Sequence, residues 1–127
     1  MDKTNKRYTA THEWISADGE HMTVGITEHA QALLGDLVFI ELPQIGRDVT
    51  QGAELGVVES VKAAADFYAP ISGHVVAVNP LVQNNAALVN QSPEQDGWLV
   101  KIKATNAEEL NKLLNQEQYL QQLSETH

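Results

Sequence analysis

The sequence predicts a mainly β protein, an antiparallel sandwich or barrel with helices set against it. Short runs rich in β-branched residues recur along the chain. Turn signals built from Gly, Pro, Asn and Asp separate them about every ten residues, and one run alternates apolar with charged side chains.

The first run, Met22-Thr-Val-Gly-Ile26, follows the turn signal Asp18-Gly19. Thr27 can then cap a helix with Ala30, Leu33 and Leu34 on one face, and Gly35 stops it. Leu37-Val-Phe-Ile-Glu-Leu42, between Gly35-Asp36 and Pro43, reads as a strand. From Leu55 to Tyr68 local rules leave two answers open. Glu59 to Asp66 favours helix by propensity and offers Glu59–Lys62 and Lys62–Asp66 at helical ion-pair spacings. Gly56, the valines at 57, 58 and 61, and Pro70 favour a hairpin. Gly73-His-Val-Val-Ala-Val78 is another strand, closed by Asn79-Pro80. In Trp98-Leu-Val-Lys-Ile-Lys103, Trp98, Val100 and Ile102 point one way, Lys101 and Lys103 the other. Asn106 stands at capping-box spacing before Glu109, and Leu110, Leu113 and Leu114 supply a helical stripe. A last helix or turn is expected around Tyr119, Leu120 and Leu123, with Gln116, Gln118, Gln121 and Gln122 on its solvated face.

Composition narrows the chemistry. At 127 residues one domain is expected over 1–127, with 1–7 and 124–127 as flexible ends. The chain has no cysteine, which excludes disulfide staples, thiol catalysis and thiolate metal sites. With 8 Lys+Arg against 17 Asp+Glu the net charge is −9, which argues against nucleic acid as a partner. Lys3, Lys6 and Arg7 are followed by no apolar stretch of the kind a signal peptide or membrane helix needs, so a cytoplasmic bacterial protein with no membrane partner is expected. The histidines at 12, 21, 29, 74 and 127 show no metal-ligand spacing, and Ser60 has no nucleophile-elbow frame. Neither a metal site nor a catalytic residue is expected, and the protein reads as a non-enzyme.

One basic residue stands apart. Between Arg47 and Lys101 the only Lys or Arg is Lys62, among Glu54, Glu59 and Asp66. A solvated face usually mixes signs. Spacing by itself favours the plain account, a surface lysine balancing Glu59 and Asp66.

The surrounding string changes that. Gly56-Val-Val-Glu-Ser-Val-Lys-Ala-Ala-Ala-Asp-Phe-Tyr-Ala-Pro-Ile-Ser-Gly73 resembles the lipoyl-lysine hairpin of the glycine cleavage system H protein family. Tyr8-Thr-Ala-Thr-His-Glu-Trp-Ile15 is similar to the family's N-terminal signature, and Val24 to Gln31 and Leu34 to Pro43 to its central block. Leu88-Val-Asn90, Gly97-Trp98 and Glu108 to Leu114 with Tyr119 complete a match that runs in order from Tyr8 to Tyr119.

The resemblance implies a barrel-sandwich hybrid, with a short internal helix, C-terminal helices, and the 55–68 segment as a hairpin. Lys62 would carry lipoate as N6-lipoyllysine at an exposed turn. Gly52 and Gly73 would serve the strand bends. Glu59 would help lipoate-attaching enzymes recognise the site. The implied function is carriage. The arm takes the aminomethyl group of glycine from a pyridoxal-phosphate glycine decarboxylase (P protein) and presents it to a tetrahydrofolate-dependent aminomethyltransferase (T protein). Dihydrolipoamide dehydrogenase (L protein) then reoxidises it. Thr11, Glu13 and Asp66 would shelter the loaded arm, and a monomer suits such a shuttle. A lipoyl-relay protein, donating lipoyl groups to other enzymes, is the alternative. Biotin carriers fit poorly, because Val61 and Ala63 stand where they place Met, and lipoyl domains of oxoacid dehydrogenases lack the His12-Glu-Trp14 block. Three departures from the family pattern matter. Ala65 lacks a hydroxyl common there, the 84–90 stretch lacks a proline and would be mobile, and His74 replaces an acidic residue.

Overall fold

Alternation along a strand sends every second side chain inward, so two facing sheets enclose a core. The computed structural model describes residues 6–18 and 21–125. Its larger sheet contains β1 (Lys6–Tyr8), β2 (Glu13–Asp18), β3 (His21–Ile26), β5 (Asp48–Val49), β8 (Gly73–Val78) and β9 (Val100–Ala104), in the order β1-β2-β3-β9-β8-β5. The smaller has β6 (Glu54–Ser60) between β4 (Leu37–Glu41) and β7 (Ala64–Tyr68). All pairings are antiparallel. Ile15, Val24, Val75, Val100 and Ile102 from one sheet meet Leu37, Ile40, Leu55, Val58 and Phe67 from the other in a single cluster.

Helices close the ends. The helix α1 (Glu28–Leu34) begins at Thr27, whose hydroxyl accepts from the Ala30 amide, and ends at Gly35 with φ 84°. That left-handed angle is why glycine stands there. The expected mobile loop at 84–90 holds the end of α2 (Pro80–Asn84) and most of α3 (Ala87–Gln91). The helix α4 (Gln116–Glu125) lays Tyr119 against Tyr8 and Trp14 in a second, aromatic cluster.

Three expectations need correction. The strand read over 98–103 starts at Val100, because Trp98 is drawn into the aromatic cluster while Leu99 is fully buried on its own account. The Asn106–Glu109 capping box does not form. Asn106 accepts from Glu108 N at the head of a 3-10 segment, Ala107–Lys112, and Glu109 instead accepts from the amide and hydroxyl of Ser72. Gly52 does make a turn, with φ 88°, but Gly73 is required for closeness: a Cβ there would lie 2.2 Å from Lys103 O. Of the segments 1–7 and 124–127, expected to be flexible, four residues belong to elements. Lys6 and Arg7 pair with Ser16 and Ile15, and Ser124 and Glu125 belong to α4. Residues 1–5, Gly19, Glu20, Thr126 and His127 lie outside the described residues.

Gly73→Ala is expected to cost about 2 kcal/mol, because the methyl meets backbone that cannot move aside. Urea unfolding should show a lower midpoint with an unchanged slope.

Candidate functional site

The 55–68 segment is a hairpin. Its ladder runs from Glu54↔Tyr68 to Glu59↔Ala64, and Val61 and Lys62 form the exposed tip. The tightest hairpin loops need positive φ, hence Gly or Asn. The connection here, 61–63, is longer and has no glycine, and among the described residues His12 is the only non-glycine with positive φ. The buried Ser60 hydroxyl closes the turn instead. It accepts from Lys62 N at 3.3 Å and Ala63 N at 3.1 Å, and donates to Ala63 O at 3.1 Å. The supporting hydroxyl is therefore that of Ser60, and Ala65 packs toward the core.

The tip rests on the corner after α1. Val61 N donates to Asp36 O at 3.1 Å, and a methyl on Gly35 would lie 3.7 Å from Lys62 Cε. Asn90 of α3 pins that corner. It donates to Gly35 O at 2.9 Å and Gln31 Oε1 at 2.8 Å, and accepts from Leu37 N at 2.9 Å. Among the described residues, Lys62 pairs with neither Glu59 nor Asp66. The hairpin removes the helical spacing that suggested those pairs.

Beside the tip lies a cleft of about 170 Å³. Ile26, Ala30, Leu33, Leu34, Val58 and Phe67 make it apolar, and Thr11, His12 and Asp66 give it polar atoms. Of the three residues expected there, Thr11 and Asp66 line it, while Glu13 lies behind the wall, 1 % exposed. Glu13 accepts from Thr9 Oγ1 and Thr11 Oγ1 at 2.5 Å each and from Tyr68 N at 3.1 Å. Burial pushes its pKa above the usual 4.5, and these hydrogen bonds pull the other way. Glu59 is half-buried in β6, paired with Phe39 and Ala64. Sequence reasoning missed the parts played by Ser60, Asn90 and His12. The Ser before a Gly-free tip was a usable signal for the first.

Two folded-over sheets with an isolated lysine at a hairpin tip define a swinging-arm carrier domain. The family model for the glycine cleavage H-protein matches residues 6–126. The chain belongs to that family, the lipoyl carriers of the glycine cleavage system. It is 60% identical over 119 residues to glycine cleavage system H proteins of Legionella pneumophila strains Corby and Lens, covering 94% of this chain and 95% of each relative. A crystal structure of a glycine cleavage system H protein from Mycobacterium marinum superposes with a TM-score of 0.88 at 37% identity, covering 95% of this chain and 98% of that one. The barrel-sandwich fold expected from the sequence is thereby established.

Glu13 has a pH signature. A carboxyl whose folded pKa is raised contributes stability that is complete below its unfolded value, near 4.5, and is lost as pH rises through the folded value. The stability of the wild type relative to Glu13→Gln should therefore fall as pH rises from about 4.5. Urea titrations across that window read it directly, and a flat difference would show that Glu13 titrates normally.

Proposed function

We propose that Lys62 bears lipoate and that the chain ferries the aminomethyl group of glycine from the decarboxylase to the aminomethyltransferase, then meets dihydrolipoamide dehydrogenase. The observation that carries this reading is the placement of an exposed lysine, with no ion-pair partner among the described residues, at a rigid tip beside an apolar cleft. When attached, the lipoyl group supplies the dithiolane that accepts the cargo and is later reoxidised. The chain's own residues do the rest. Ser60 presents the Lys62 amine on a fixed turn, so an attaching enzyme meets one geometry. Glu59, next to that turn, gives the enzyme a charge to recognise.

The cleft suits the arm. Its aliphatic walls match a hydrocarbon chain, and burying that chain excludes water from the cargo. Asp66 is exposed at the wall and can accept from a cationic amine. Thr11 lines the same wall, and its hydroxyl is aimed by the Glu13 carboxylate behind it. Glu13 thus acts through Thr11. No residue here needs to make or break a bond in the cargo, which is the sense in which the protein is a carrier and not an enzyme. Among the described residues no helix is long and apolar enough to cross a membrane, and we place the protein in the bacterial cytoplasm with its three partner enzymes.

Intact mass spectrometry of protein made with lipoate should show one added lipoyl group, absent in Lys62→Arg. A mass shift that survives the substitution would refute the assignment. For the cleft, Asp66→Asn should shorten the lifetime of the loaded form about tenfold, the scale of one lost charge-assisted hydrogen bond. An unchanged lifetime would remove Asp66 from that role.

A further inference from the structure

His12 holds a φ of 74°, the left-handed region that costs a residue with a Cβ, and it does so in the wall of the cleft. Its backbone is held from both sides: His12 N donates to Thr9 O at 3.1 Å, and Thr27 N donates to His12 O at 3.0 Å. The side chain continues outward. His12 Nδ1 lies 2.8 Å from Tyr119 Oη, and Tyr119 Oη lies 2.7 Å from Thr27 Oγ1. Tyr119 itself is stacked on Tyr8, with ring centroids 4.8 Å apart.

Proton counting gives this chain a direction. Thr27 is 1 % exposed, and its oxygen already accepts from Ala30 N at 3.2 Å. Among the described residues its own proton meets one acceptor, Tyr119 Oη. Tyr119 then has one proton left, and His12 Nδ1 must accept it. An imidazole accepting at Nδ1 carries its proton on Nε2.

We propose that Thr27 and Tyr119 are positioning residues that lock His12 as the neutral Nε2–H tautomer in the cleft wall. This rests on the reading of the cleft as the berth of the loaded arm. A neutral imidazole leaves Asp66 as the charge beside a cationic cargo, whereas an imidazolium would repel it. Protonating His12 requires a proton on Nδ1, which reverses the chain and strands the buried Thr27 proton. The titratable groups around His12 are His29 and Glu28 of α1, Tyr119 of α4, Tyr8 of β1, Glu13 of β2, Asp66 of β7 and Glu94 between α3 and β9. Burial, then the neighbouring His29, lowers the His12 pKa, in the direction the chain requires. Burial raises both phenols, Tyr8 to about 12, so Tyr119 remains a donor.

The test needs no lipoyl group. Nitrogen-15 NMR of the full chain should show His12 Nδ1 bare and Nε2 protonated, with titration below the usual histidine range. Tyr119→Phe keeps the stacked ring and removes the donor. It should abolish the single-tautomer pattern and move the His12 titration up. Thr27→Val should do the same and Thr27→Ser should restore the pattern. A protonated Nδ1 in the wild type, or an unmoved tautomer in Tyr119→Phe, would overturn the proposal. On loaded protein, Tyr119→Phe should shorten the lifetime by up to about tenfold at a pH where the variant's His12 is protonated and the wild type's is not, and little at a pH where both are neutral. A shifted tautomer with an unchanged lifetime would overturn the link to the cargo. Failure of Lys62 to accept lipoate would instead sink the carrier reading while leaving the tautomer result standing.

Discussion

One buried carboxylate joins the two sheets. Glu13 belongs to β2 of the larger sheet, and its Oε2 accepts from Tyr68 N, the last residue of β7 in the smaller. Its other oxygen gathers the hydroxyls of Thr9 and Thr11. A buried charge without partners would be expensive, so these donors are obligatory. The constraint reaches outward. Fixing Thr9 and Thr11 fixes the turn that carries His12, and fixing Tyr68 fixes the far end of β7, the strand that carries Asp66. Polar groups from two strands of different sheets, gathered at one apolar cleft, are thus held by one side chain that does not line it.

The other fixed point is the corner between α1 and β4. Gly35 ends the helix, and Asn90 bonds both sides of the corner. The hairpin tip leans on it through Asp36 O. Leu33 and Leu34, one turn back, form the cleft wall. Lysine, corner and cleft are therefore neighbours because a single helix terminus serves all of them.

Much of this was legible. Apolar, β-branched runs between turn signals located β3, β4 and β8, and Thr27 and Gly35 bounded α1, because those signals come from backbone geometry that neighbours do not override. The hairpin was not legible by local rules. Glu59 to Asp66 scores for helix, and the strand pairing wins only because Val58 and Phe67 have a core to enter. The family pattern supplied what propensity lacked. Trp98 and Glu109 misled for a similar reason, since each is claimed by a distant partner, the aromatic cluster and Ser72. The site divides the same way. Lys62 stood out as a lone charge, whereas the parts of Ser60, Asn90 and Tyr119 depend on contacts across the chain that no spacing encodes.

The position of β6 has a mechanical consequence. It is the central strand of its sheet, bonded to β4 on one side and β7 on the other, and Lys62 hangs from its end. An arm drawn into a deep active site pulls along that strand. Tension on the tip draws β6 and β7 together and loads the β4–β6 ladder in shear, several bonds at once, instead of peeling an edge strand bond by bond. The tether is anchored where the sheet resists traction best.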